Sequence, residues 1–296
     1  MKSSKNVSAS VRQRLLNRSK KDNRSFNELL QYYAMERFLY RLSLSNCAQH
    51  YILKGALMLK AWNSPEFRPT MDIDMLGKTE NEEENIITQI CSILDVEVEP
   101  DGLDFDSKSI QTERITEDAD YRGIRVMFRG LLGTARIKMQ IDIGFGDIVY
   151  PGPEKAELPC MLDFPAPSLL CYSKESAIAE KFEAMIKLGH LNSRMKDFYD
   201  IWLLSHQFRF KLSNLAEAVK LTLKQRGTKL NQPIEAFSTD FISSRQIMWI
   251  AFCKRLKQDN VPASFQDIIT EMELFLAPVL KGITKEMEWV PAGPWS

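Results

Sequence analysis

Cysteine, glycine, histidine and long apolar runs are all scarce in this chain of 296 residues. The five cysteines (Cys47, Cys91, Cys160, Cys171, Cys253) are odd in number, scattered and never spaced as CxxC. That argues against a zinc site and against a disulfide framework, and for reduced thiols in a cytoplasmic protein. No apolar run approaches the ~18 residues that a membrane helix needs. The longest candidates, such as Ile247–Phe252, are far shorter, so no membrane association is expected. The N-terminal stretch MKSSKNVSASVRQRLLNRSKK is basic and polar without an apolar segment, and it does not read as a secretory signal. His50, His190 and His206 share no spacing that suggests a metal triad. Internal repeats and low-complexity tracts are also missing. What remains is an ordinary globular composition, 44% hydrophobic and 26% charged, which suffices for a large core. At about 150 residues per domain the length suggests about two domains.

The 39 basic and 39 acidic residues cancel overall but not locally. Residues 1–42 carry ten Lys/Arg against three Asp/Glu, and residues 80–120 carry two against fourteen. A basic arm can attract phosphates without reading bases. A solvated helical face is the plainer reading, and the acidic stretch reads as a solvated excursion.

Helical spacing of Phe26, Leu29, Leu30, Tyr33, Phe38, Leu39 and Leu42 predicts one or two helices over residues 8–44, with Asn23 or Ser25 as cap. A short apolar run, Tyr51–Leu53, precedes Lys54-Gly55 and a predicted helix over Ala56–Trp62. Met71–Leu76 alternates apolar residues with Asp72 and Asp74, as a strand would. Ile86–Leu94 reads as a helix. Val96–Val98, Ser109–Ile115, Gly123–Phe128 and Thr134–Ile143 read as strands. Tyr150–Pro167, with five prolines, is the clearest linker. Lys174–Leu188, Met195–His206, Leu212–Thr222, Arg245–Leu256 and Phe265–Leu280 read as helices. A mixed α/β domain over residues 1–165, with an N-terminal helical arm, and a helical C-terminal domain over residues 166–296 are therefore expected.

The stretch Arg68-Pro69-Thr70-Met71-Asp72-Ile73-Asp74 carries the most chemistry. Two aspartates at i and i+2 of a strand share one face, and Met71, Ile73 and Met75 would bury the other. Paired carboxylates repel unless a cation relieves them. Mg²⁺ typically takes one or two carboxylates together with substrate phosphates. Asp142, in Gln140-Ile141-Asp142-Ile143-Gly144, lies on another alternating strand and could complete a site suited to phosphoryl or nucleotidyl transfer. Isolated DxD patterns are common on surfaces, so context matters. Lys54-Gly55-Ala56 sits at a strand-to-helix turn whose amides could hold phosphates, or it is simply a tight turn. Lys181 reads more readily as a solvated helix lysine than as a triphosphate contact. Arg194, Asp197 and Asp200 share one face of a helix start, where an acidic residue usually just suits the dipole. The methionines Met58, Met71, Met75, Met185 and Met195 read as core filler.

The ordered segments LKGALMLKAW, RPTMDIDML, QIDIGFGD, AEKFEAMIKLG and NSRMKDFYDIW, with the closing Trp289…Gly293-Pro294-Trp295, resemble the AbiEii/AbiGii nucleotidyltransferase toxin family over roughly residues 30–290. That family belongs to the DNA polymerase β-like nucleotidyltransferase superfamily, and its MenT-type relatives act on tRNA. The resemblance implies an α+β fold: a polymerase β-like nucleotidyltransferase domain with a mixed sheet, followed by an α-helical bundle domain. It also implies a toxin–antitoxin or phage-defence role of the type IV class, with an antitoxin encoded nearby as partner.

Residue by residue, the resemblance implies that Lys54 and Gly55 lie at the turn holding the nucleotide phosphates. Asp72 and Asp74 would hold Mg²⁺ (or Mn²⁺), with Arg68 and Thr70 supporting strand and nucleotide. Asp142 would be the third carboxylate, a looser match. Lys181 would contact the triphosphate, and Asp197, with Arg194, Lys196 and Asp200, would match an RxKDxxD motif. The superfamily's Gly-Ser or Gly-Gly pair is here Gly55-Ala56, which leaves only backbone amides for phosphate contact. The implied reaction transfers NMP from an NTP to an RNA acceptor, with a tRNA 3′ end expected, and releases pyrophosphate. The basic arm, together with Arg122, Arg125, Arg129, Arg136 and Lys138, is the expected RNA-binding surface. The alternatives are a small-molecule, antibiotic-type nucleotidyltransferase and a catalytically silent nucleotide-binding module.

Overall fold

The structure is a computed structural model. It describes residues 4–65, 68–118, 121–256, 258 and 260–296, and their side chains other than those of residues 4–6, 116–118, 121 and 122. The chain divides into two compact units, one of Met1–Gly146 with Glu154–Cys171 and one of Asp147–Pro153 with Tyr172–Ser296.

The first unit contains, in chain order, α1 (Ser4–Asp22), α2 (Phe26–Leu44), β1 (Tyr51–Lys54), α3 (Met58–Ala61), β2 (Ile73–Gly77), α4 (Glu83–Leu94), β3 (Leu103–Asp118), β4 (Tyr121–Leu132), β5 (Ala135–Phe145), β6 (Glu154–Glu157) and β7 (Ser168–Cys171). Its strands form one mixed sheet in the order β3-β4-β5-β2-β1-β7-β6. The β3-β4-β5 meander is antiparallel, β5 runs parallel to β2, and β1 is antiparallel to β2 but parallel to β7.

Period-2 alternation decides which face of this sheet is open. Ile137, Met139, Ile141 and Ile143 of β5 and Ile124, Val126 and Phe128 of β4 are all buried. Each such side chain contributes about 1.5–3 kcal/mol by leaving water. Helix α2 packs against β5 and β7 and is itself buried nearly all round between Leu29 and Leu39. Arg136, Lys138, Gln140 and Asp142 therefore project from the opposite face.

Two buried arginines of α2 are tied to one carboxylate. Arg41 grips Asp101 at 2.7 and 3.2 Å, and Arg37 Nε lies 3.4 Å from it. The Tyr33 hydroxyl donates to the Asp101 carbonyl at 2.7 Å. Asp101 thus fastens the supposedly solvated acidic stretch to the core.

Several expectations are corrected. Val96–Val98 is not a strand; it lies in the irregular link after α4. Tyr150–Pro167 is not a free linker, because Glu154–Glu157 pairs with β7 as strand β6. The predicted Ala56–Trp62 helix is a 3₁₀ turn (Gly55–Leu57) followed by the four residues of α3. Met71 is exposed rather than buried, because regular pleating begins only at Ile73.

The second unit contains α5 (Lys174–Leu188), α6 (Met195–Gln207), α7 (Leu212–Gln225), α8 (Thr239–Leu256) and α9 (Phe265–Leu280), with β8 (Phe210–Lys211) paired antiparallel to β9 (Glu288–Trp289). Ser173 caps α5 by accepting the Ser176 N–H. Phe198, Phe241, Trp249 and Phe265 form an aromatic core with centroids 5.1–6.2 Å apart. The C-terminal tryptophans dock the tail: Trp289 Nε1 donates to Ser205 O at 2.6 Å, and Trp295 stacks on Phe275.

Asp101→Ala leaves Arg41 and Arg37 buried without their shared counter-charge. Urea unfolding should show a loss of about 3–5 kcal/mol relative to the parent chain.

Candidate active site

Strand β2 is flanked by β1 and β5, and the registers place Lys54 opposite Asp74 and Asp74 opposite Asp142. Asp72 lies in a bend immediately before β2, yet the i, i+2 spacing keeps it beside Asp74. One carboxylate oxygen from each of Asp72, Asp74 and Asp142 lies within 4.8 Å of the others. All three side chains are partly exposed on the open face of the sheet.

Gly55 makes that proximity possible. It has φ +73°, in the left-handed region, and a Cβ there would stand 1.9 Å from Asp74 Oδ2 and 2.7 Å from Asp74 Cβ. Only glycine leaves room for the β1 turn to pass beside the acid.

Side chains from α2 hold the irregular approach to β2. Gln31 donates to Met71 O at 3.1 Å and to Lys138 O at 3.0 Å, joining the segment before β2 to β5. The Tyr32 hydroxyl accepts the Thr70 N–H at 3.0 Å, and the Thr70 hydroxyl donates to Asp72. Burial raises the Tyr32 pKa above its ordinary value, so the phenol stays neutral. Sequence reasoning missed Gln31 and Tyr32, since both sit inside an apolar helical pattern that reads as packing.

Arg125 does not lie free for an acceptor phosphate. Its Nε and Nη2 each donate to Asp142 at 2.8 Å, and Gln140 adds 3.3 Å contacts. That bond to Asp142 raises the guanidinium pKa further, and the pair offsets repulsion within the acidic group. A carboxylate has about four lone-pair positions, so Asp142 keeps acceptor capacity beyond the fork. Arg68 is half-buried just upstream of Thr70, and Lys54 is half-buried at the end of β1.

The hard, anionic oxygen donors suit Mg²⁺ or Mn²⁺, which favour carboxylates, carbonyls and water. Converging donors on a rigid sheet fit that requirement. Softer metals would call for thiolate or imidazole, and no Cys or His belongs to the group.

The other candidate residues belong to the second unit. Lys181 on α5 is not a solvated helix lysine: only 18% of its side chain is exposed, and its Nζ lies 2.9 Å from Asp200 and 3.5 Å from Asp197. Arg194 reaches Asp197 at 2.7 Å. Asp197 and Asp200 are buried and ion-paired, which makes them holders of cations. Lys196 points to solvent. A second network joins Arg226 to Asp147 at 3.0 Å, Glu183 at 2.9 Å and Glu180 at 3.5 Å.

Part of the basic arm is paired internally. Arg14, Arg18, Arg24, Arg37 and Arg41 all have carboxylate partners within 4 Å. The side chain of Arg122 lies outside the described residues, as do those of Lys2 and Lys5.

An acidic group at the centre of a mixed sheet, bordered by a glycine turn, offers a place for a divalent cation and an anionic ligand. Residues 37–271 match the family model for the nucleotidyl transferase AbiEii toxin of the type IV toxin–antitoxin system, and the chain belongs to that family. It is accordingly a nucleotidyltransferase by family. No curated protein matches the chain. Two crystal structures from Helicobacter pylori share the fold. A protein titled as a candidate nucleotidyltransferase is 16% identical, with a TM-score of 0.51, over 88% of this chain and 97% of that one. JHP933 is 15% identical, with a TM-score of 0.50, over 88% of this chain and 94% of its own.

Gly55→Ala adds both a φ penalty and the clash with Asp74. It should cost at least about 2 kcal/mol in the parent chain but only about 1 kcal/mol in an Asp74→Gly background, a coupling read by a double-mutant cycle of urea unfolding.

Proposed function

We propose that this chain is an Mg²⁺- or Mn²⁺-dependent nucleotidyltransferase that transfers NMP from an NTP to the 3′ end of an RNA, with tRNA as the expected acceptor. The observation that carries this reading is the convergence of the Asp72, Asp74 and Asp142 carboxylate oxygens within 4.8 Å, beside the close approach of Gly55. In this scheme the acceptor 3′-hydroxyl oxygen attacks the α-phosphorus, the bond to the bridging oxygen breaks, and pyrophosphate leaves.

Asp72, Asp74 and Asp142 would hold the cation. When bound, it would neutralise phosphate charge and favour ionisation of the attacking hydroxyl. Thr70 orients Asp72 through its hydroxyl, and Arg125 orients Asp142. Gly55 brings the β1 turn against Asp74, where its backbone suits a phosphate, and Lys54 and Arg68 add positive charge beside the strand. In the second unit, Asp197 and Asp200 hold Lys181 in one place, which fits a lysine that meets a triphosphate. Arg194 is held likewise by Asp197, and Lys196 adds an exposed charge on the same helix start. The helical second unit is read as the α-helical bundle domain that follows the nucleotidyltransferase domain in this family.

The family membership supports a toxin with a cognate antitoxin as partner. Among the described residues no helix is long and apolar enough to cross a membrane, and the five cysteines are free thiols. Both fit a cytoplasmic setting.

Purified protein incubated with Mg²⁺, each α-phosphate-labelled NTP in turn, and total tRNA should label RNA with at least one nucleotide. Asp72→Asn/Asp74→Asn should lower that labelling by at least about a hundredfold, as expected when several kcal/mol of charge stabilisation is lost. Nucleotide binding without RNA labelling by any NTP would contradict the RNA acceptor and favour a small-molecule one.

A further inference from the structure

On the open face of the first unit's sheet, β3 and β4 part company. Their register runs from Asp106↔Arg129 directly to Gln111↔Met127, so residues 107–110 stand out of the ladder. The bulge is fixed in place: the Ser109 hydroxyl accepts the Arg129 N–H at 2.9 Å and donates to Asp106 O at 2.6 Å. A fixed irregularity of this kind redirects side chains and opens the surface beneath it. Beneath it lies a cavity of about 750 Å³.

The lining of this cavity has two parts. Lys108, Arg136 and Lys138 are exposed cations at its rim, and among the described residues none of them has a carboxylate partner within 4 Å. Arg129 also borders it but is paired with Asp106 at 2.8 Å. Ile110 and Met127 supply an apolar floor. A positive rim over an apolar floor does not suit a metal or a cationic ligand. It suits a unit with an anionic backbone and a flat, weakly polar body, which is a nucleotide with its base unstacked. The volume lies within the usual range of ligand sites, roughly 300–1,000 Å³.

Lys138 and Arg136 share the open face with Asp142, four and six residues back along β5, which places them about 13 and 20 Å from it. That is too far for the reacting end of an acceptor and in place for the nucleotides behind it. We propose that this cavity is a subsite for single-stranded RNA, with Lys108, Arg136 and Lys138 on successive backbone phosphates and one base against Ile110 and Met127. The proposal rests on the RNA-acceptor reading above and gives it a location on the sheet.

The test uses the full chain and a fluorescein-labelled single-stranded RNA of about 12 nucleotides, followed by anisotropy over a salt series. Removing three contacts in Lys108→Ala/Arg136→Ala/Lys138→Ala should lower the slope of log K against log salt by about 2, since each single-strand phosphate contact contributes about 0.7. The same variant should bind roughly tenfold or more weakly at moderate salt. NTP affinity and thermal unfolding should stay at parent values. A charge-matched control, Lys224→Ala/Lys229→Ala/Lys281→Ala, should leave slope and affinity unchanged. Photocrosslinking from a 4-thiouridine in the RNA should label the peptides containing Ile110 or Met127. An unaltered slope in the first variant, or an equal loss in the control, overturns the subsite, and RNA labelling by NTP in the same preparation would show that the transfer reading survives. Failure of the parent chain to bind any RNA, with NTP binding intact, overturns the subsite and the RNA acceptor together.

Discussion

Mutual repulsion among Asp72, Asp74 and Asp142 is the constraint around which the first unit is arranged. Three carboxylates whose oxygens lie within 4.8 Å of one another would separate if the chain allowed it. The sheet does not allow it. Ile73 and Met75 on β2 and Ile141 and Ile143 on β5 are fully buried, which pins both strands and leaves the acids on the open face. Arg125 offsets part of the charge through its two bonds to Asp142. Gly55 removes the one Cβ that would push Asp74 away. The approach to β2 has no ladder of its own, and Gln31, Tyr32 and Thr70 supply its hydrogen bonds instead.

The second unit uses buried charge differently. Asp197 and Asp200 are sunk into α6 and each is matched to a cation, so the net effect is a lysine and an arginine with little freedom to move. Leaving Lys181 without these partners would cost it its geometry, whereas a solvated lysine would need none. Fixing a cation before substrate arrives reduces the ordering cost at the moment of binding. Under the proposed triphosphate contact, that is what the segment from Arg194 to Asp200 would contribute.

Much of this was legible in the sequence, for identifiable reasons. The DxD segment and the alternating strand around Asp142 announce themselves because period-2 patterns survive in any context. Their direct adjacency does not, since β2 and β5 are separated by some sixty residues and only the register joins them. Arg125 looked like a phosphate contact because its partner lies on the neighbouring strand, out of sight of local spacing. Half of the basic arm's cations have carboxylate partners that local spacing hid, because Asp101 and Asp163 lie far along the chain from Arg41 and Arg14. Pro-rich composition concealed β6, a short edge strand whose Glu154–Glu157 carries no apolar periodicity. The bulge at residues 107–110 has no signature beyond a polar run, so the cavity beneath it could not be read in advance.

The most direct measurement is a Mn²⁺ titration of the full chain, followed by electron paramagnetic resonance, with and without NTP. Bound Mn²⁺ should appear in the parent chain and tighten with NTP. It should be lost in Asp72→Asn/Asp74→Asn and weakened in Asp142→Asn, with circular dichroism unchanged. Mn²⁺ binding that is equally strong in all three proteins would place the cation elsewhere and contradict the account of the acidic group.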